Sequence, residues 1–165
     1  VVRNCFQFSR QAKCFLRVSQ YEEARKAFEM SKKYIAKVED KRPIVVVDDS
    51  PAVIVKLESY LKKLGYKNIH AFSTGSDAVR ACKKLIDSSQ NPIVLLDMDL
   101  PDIEGDVVAS HLLDSKLDLS IILITADEKT TPRVQSTISL GTTAFIQKPF
   151  DIDDLKRALD IAESD

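Results

Sequence analysis

Five residues of types that suit phosphate or metal chemistry recur at one kind of place, the end of a short apolar run. Asp97 closes Ile93-Val94-Leu95-Leu96, Asp48 and Asp49 close Ile44 to Val47, Thr125 closes the run from Leu119, and Lys148 follows Ala144 to Ile146. Runs of this length without alternation read as strands buried on both faces. In an open parallel sheet the carboxyl ends of the strands share one edge, and ligands bind there. An aspartate that ends a strand can also do no more than cap a turn. Three carboxylates at one edge repel, which raises the pKa of at least one unless a cation sits among them. An all-oxygen set of this kind suits a hard divalent ion, with Mg²⁺ the most plausible.

The elements that position these residues alternate between strand and helix. After Ile44–Val47, Ser50-Pro51 supplies an N-cap and a first-turn proline, and Ile54, Leu57, Leu61 and Leu64 stripe a helix that stops at Gly65. Ile69 to Phe72 is a second strand, and Gly75-Ser76 opens a helix with Ala78, Cys82 and Leu85 inward. Behind Asp97 a turn through Pro101 and Gly105 leads to a helix ending near Ser115. Leu119 to Thr125 and Ala144 to Ile146 are the last strands, and Ile152, Leu155, Leu159 and Ala162 stripe a final helix capped by Asp151. The segment from Thr130 to Thr143 between them is rich in Ser and Thr, which predicts a marginal helix. Five βα units predict an α/β fold with a doubly wound parallel sheet.

Residues 1–40 differ, containing neither Gly nor Pro. Phe8, Ala12 and Phe15, then Tyr21, Ala24, Phe28, Ser31, Ile35 and Val38, predict a helical hairpin. The hairpin resembles one tetratricopeptide unit, although Gln11 and Ala36 depart from that pattern. A plain amphipathic helix pair is the competing reading. One unit cannot bury its own apolar face, so residues 1–40 are expected to pair two chains as a homodimer or to dock on further repeats.

Composition narrows the classes. The 165 residues carry a net charge of −1, so no global field recruits nucleic acid or an anionic membrane. No apolar stretch approaches the roughly 20 residues that span a bilayer, and no signal peptide is evident, which predicts a cytoplasmic protein. Cys5, Cys14 and Cys82 lack metal-ligand spacing and read as reduced thiols. His70 and His111 read as structural, and a chain opening on Val1 rather than Met suggests a fragment or a processed form.

Residues 43–165 resemble a response-regulator receiver domain. The motifs are Val47-Asp48-Asp49, Asp97-x3-Pro101-x3-Gly105, Thr125-Ala126, and Ala144-Phe145-x2-Lys148-Pro149-Phe150. The resemblance implies a flavodoxin-like sheet of order 2-1-3-4-5 and a phosphorylation-dependent switch of a two-component system or phosphorelay. It implies that Asp97 accepts the phosphoryl group from a histidine kinase or phosphotransfer protein, and that Asp49, Asp97 and the Asp99 carbonyl bind Mg²⁺ with assistance from Asp48. By the same resemblance Thr125 and Lys148 bind phosphoryl oxygens, Phe145 reorients with Thr125, and the Lys148-Pro149 bond is cis. Such a domain promotes its own phosphoryl transfer and hydrolysis and is not a turnover enzyme. Asp99 and Asp127 add carboxyl groups around the pocket that can position or repel water.

Two rival readings differ in class. Asp97-Met98-Asp99 also resembles the Asp-x-Asp nucleophile of haloacid-dehalogenase-like phosphatases, but there the acidic pair comes last, whereas here Asp48-Asp49 comes first. A non-phosphorylated interaction module would not need every pocket residue.

Overall fold

The computed structural model describes residues 41–114 and 119–164, together with Glu22 and Lys26. The hairpin expected over 1–40 and its pairing or docking role lie outside the described residues, as do Cys5 and Cys14.

Three apolar runs form the middle of the sheet because they can be buried on both faces. β1 (Ile44–Val47), β3 (Ile93–Leu96) and β4 (Ser120–Thr125) are buried throughout. β2 (Ile69–Phe72) and β5 (Ala144–Gln147) carry exposed or half-buried positions, as edge strands do. All pairings are parallel, in the order β2-β1-β3-β4-β5. This is the sheet the resemblance implies.

The two faces of the strands divide by alternation. Ile44, Val46, Ile93, Leu95, Ile122 and Ile124 pack with Leu57 and Leu61 of α1 (Pro51–Lys63) and with Leu155, Leu159 and Ala162 of α5 (Ile152–Ala162). Val45, Val47, Val94, Leu96, Ile121 and Leu123 pack with Ala78 and Cys82 of α2 (Gly75–Asp87) and with Val108, Ala109 and Leu112 of α3 (Gly105–Asp114). The remaining helix, α4, spans Pro132–Ser139. The inward stripes read from the sequence for α1, α2 and α5 are those that pack, with Ile54, Leu64 and Leu85 at their half-buried margins, except that Ile152 is half-buried outside both clusters.

Helix starts differ from expectation at one position. Ser50 holds the N-cap backbone geometry but its hydroxyl makes no cap bond, while its N–H donates to Asp48 Oδ1 at 2.9 Å. Thr74 and Thr131 do cap α2 and α4, accepting from Asp77 N and Val134 N. Asp151 caps α5 in a reciprocal capping box with Asp154. Gly65 ends α1 with φ of 89°, the left-handed region in which a glycine is unstrained. The Lys148–Pro149 bond is cis.

Candidate functional site

The register of the sheet assembles the site. Val47 lies opposite Leu96, so Asp48 and Asp97, the next residues of adjacent strands, stand side by side. Thr125 is the last residue of β4 and pairs with Gln147, which sets Lys148 one residue beyond. The Lys148 N–H donates to the Thr125 carbonyl at 2.8 Å, anchoring the start of that segment to the β4 end. The four strand ends that the sequence marked thus meet at one edge.

Lys148 Nζ lies 2.8 Å from Asp48 Oδ2 and 2.8 Å from Asp97 Oδ2, bridging the two carboxylates. Their other oxygens are also held, Asp48 Oδ1 by the Ser50 N–H and Asp97 Oδ1 by the Met98 N–H at 2.8 Å. Asp49 is exposed beside them, and carboxylate oxygens of Asp48, Asp49 and Asp97 lie within 4.8 Å of one another. With one ammonium among three carboxylates the cluster keeps a formal charge of −2. All its ligand atoms are oxygen, and one wall is open through Asp49, so the donor set fits a hard dication that keeps some water.

The electrostatics record the crowding. Burial raises the Asp97 carboxyl above the ordinary carboxylate range, against the hydrogen bond and charge of Lys148, which lower it; repulsion from Asp48 adds to the rise. Burial alone would lower the Lys148 ammonium, but its hydrogen bonds to Asp48 and Asp97 leave it above the usual lysine range.

The loop after Asp97 is held from both sides by residues the sequence did not single out as site residues. Asp102 accepts from Gly75 N at 2.8 Å and Ser76 N at 3.0 Å, so it caps α2 from outside, and the Ser76 side chain first, with these N–H groups, holds its carboxyl well below the usual range. Arg133 of α4 donates to Asp99 Oδ1 and to the Met98 carbonyl, each at 2.8 Å. The Asp99 carboxylate is thereby turned to Arg133, while the Asp127 N–H donates to the Thr125 hydroxyl at 3.2 Å. Thr125 is fully buried and Phe145 half-buried in the core shared with α2 and α3. A short-range sequence signal exists for neither Asp102 nor Arg133, since their partners lie 26 to 35 residues away.

Residues 44–160 match the family model described as the response regulator receiver domain. The alkaline phosphatase synthesis transcriptional regulatory protein PhoP of Bacillus subtilis is 31% identical over 109 residues, covering 66% of this chain and 43% of that protein. The chain thus spans less than half the length of that relative. Sporulation initiation phosphotransferase F of the same bacterium is 27% identical over 116 residues, covering 70% of this chain and 89% of that protein. Among solved structures, the signal receiver domain of a modulated diguanylate cyclase from Desulfovibrio desulfuricans is similar with a TM-score of 0.65 and 27% identity, covering 74% of this chain and 94% of that one. The family match sets aside the phosphatase reading of Asp97-Met98-Asp99.

Proposed function

Because this chain belongs to the response regulator receiver domain family, we propose that Asp97 is its phosphoacceptor, charged by a histidine kinase or phosphotransfer protein of a two-component system. The observation that carries the assignment is the bridge of Lys148 to Asp48 and Asp97 at the ends of adjacent parallel strands. Phosphoryl transfer needs an in-line acceptor and charge neutralisation more than covalent assistance. An Asp97 carboxylate oxygen attacks phosphorus, a new P–O bond forms, and the bond to the donor nitrogen breaks with its electron pair going to the leaving imidazole, which takes up a proton.

Lys148 then exchanges a carboxylate partner for a phosphoryl oxygen, and Thr125 turns its hydroxyl from the Asp127 N–H to another. Asp48, Asp49, Asp97 and the Asp99 backbone carbonyl would hold Mg²⁺, which when bound would neutralise charge on the phosphoryl oxygens. Movement of Thr125 lets Phe145 fill the vacated space and biases α4 between two arrangements. The domain thereby acts as a cytoplasmic switch that promotes its own transfer and hydrolysis, not as a turnover enzyme. Residues 1–40 are read as an element that pairs two chains or docks on further repeats.

Incubation with acetyl phosphate and Mg²⁺ is expected to add one phosphoryl group to the intact chain by mass, and Asp97→Asn to abolish it. Undiminished labelling of the Asn variant refutes the assignment, and sustained turnover of a generic phosphomonoester revives the phosphatase.

A further inference from the structure

The hold of α4 on the domain is thin. It has eight residues, of which only Val134 and Thr137 are buried. Its hydroxyls are spent within the helix: Ser136 and Thr137 donate to the Arg133 carbonyl at 2.8 and 2.9 Å, and Ser139 donates to the Gln135 carbonyl at 2.8 Å. Such back-bonds add nothing to docking and slightly weaken a helix.

Against this, one side chain leaves the first turn and crosses to the loop behind Asp97. Arg133 Nη1 reaches Asp99 Oδ1 and Nη2 reaches the Met98 carbonyl, while the carboxylates of Glu104 and Asp106 stand 3.2 and 3.9 Å from Nη2. The Met98 carbonyl also accepts from Gly105 N at 2.9 Å, so the guanidinium grips the point where the loop closes on itself. That point is one residue from Asp97 and one from the Asp99 carbonyl. A planar fork can hold a carboxylate and a carbonyl at once in fixed geometry, which a lysine ammonium on a flexible stem cannot.

We propose that Arg133 is a positioning residue that ties the first turn of α4 to the loop Met98–Gly105, making helix and loop one cooperative unit. The proposal rests on the reading of Asp97 as phosphoacceptor for its functional meaning, but not for its geometry. A displacement of the loop on occupancy of the pocket reaches the backbone of residue 133 through the guanidinium, by a route separate from Thr125 and Phe145. By linkage, whatever fixes α4 must also fix the loop. The tether is ionic and partly exposed, so salt weakens it.

Amide hydrogen exchange over 132–139 in the intact chain tests this, with wild type, Arg133→Lys and Arg133→Gln measured alone and with beryllofluoride plus Mg²⁺. Without additions both variants are expected to exchange about fivefold faster in α4, the scale of a partly exposed charged contact, while amides of β1 and β3 are unchanged. The response of α4 to beryllofluoride is expected to shrink in both variants. Wild-type exchange in both variants beside a normal wild-type response overturns the tether alone. Wild-type behaviour of Arg133→Lys overturns it too, since charge would then suffice without the fork. Faster α4 exchange in the variants with no wild-type response to beryllofluoride upholds the tether and removes the phosphoacceptor reading instead.

Discussion

Replacing Asp97 by Asn is expected to stabilise the metal-free protein even as it removes the proposed acceptor. Carboxylate oxygens of Asp48, Asp49 and Asp97 lie within 4.8 Å of one another, and at an effective dielectric of about 20 each such pair repels by about 3.5 kcal/mol. The Lys148 ammonium, 2.8 Å from Asp97, attracts it by about 6 kcal/mol on the same scale. Asp97 takes part in two repulsive pairs and one attractive one, so Coulomb terms oppose each other at similar size, and solvent around the exposed Asp49 weakens one of the repulsions. Desolvation decides the sign. Asp97 is only 6% exposed, and burial is the main cause of its raised pKa. Asn keeps the shape and can still accept from the Met98 N–H, and Lys148 keeps Asp48 as partner, so a gain at pH 7 is expected, worth about 1.4 kcal/mol for each unit by which the folded pKa lies above the unfolded one.

The pH dependence supplies the check. The folded state holds the Asp97 proton to higher pH than the unfolded chain, so wild-type stability is lost as pH rises from the unfolded carboxylate pKa, about 3.9, through the raised folded value. The advantage of Asn should therefore be absent in acid, open across that window and stay flat above it. Urea unfolding in EDTA, followed by circular dichroism across pH, measures the gap. Mg²⁺ should then narrow it, because a ligand at ten times its Kd stabilises the wild type by about 1.4 kcal/mol and the Asn variant by less. An Asn variant less stable than wild type in EDTA at pH 7, or a gap independent of pH, would refute the reasoning.

Gly105→Ala should lower stability by about 1–3 kcal/mol and abolish labelling by acetyl phosphate, because a Cβ there would lie 2.2 Å from the Asp97 carbonyl oxygen and 2.7 Å from Met98 Cα. Both are backbone atoms and cannot rotate aside; urea unfolding and intact mass check the two effects. A chain starting at Lys41 should sediment as a monomer at micromolar concentration while the 165-residue chain sediments as a dimer, and two monomers would remove the pairing role of residues 1–40.

The strands were legible because continuous β-branched and aliphatic runs satisfy burial on two faces, and β1 and β3 each run up to the aspartate that closes them. That is why Ile44–Val47 and Ile93–Leu96 have the ends expected, and why Asp48 and Asp97 were found at once. Margins were less legible: β4 begins at Ser120, not Leu119, and α4 is shorter than the hydroxyl-rich stretch that predicts it. Composition does not say which hydroxyl caps a helix. Ser50 stands in the favoured place yet makes no side-chain cap bond, its N–H donating to the Asp48 carboxylate of the site, while Thr74 and Thr131 cap unannounced.

The loop after Asp97 is where sequence reasoning reached its limit, and the reason is physical. Asp99 is one residue in a row of acidic side chains, and nothing local distinguishes a carboxylate facing water in the pocket from one facing a cation elsewhere. Its partner, Arg133, lies 34 residues on, beyond a helix and a strand, and meets it because parallel β3 and β4 bring their carboxyl ends to one edge of the sheet. Once they do, the compensated charge of Asp99 makes it a poor candidate to steer hydrolytic water while Arg133 stays in place. Control of that carboxylate then belongs to α4, a short helix with two buried residues, so a partner that moves α4 would also release Asp99 toward the pocket.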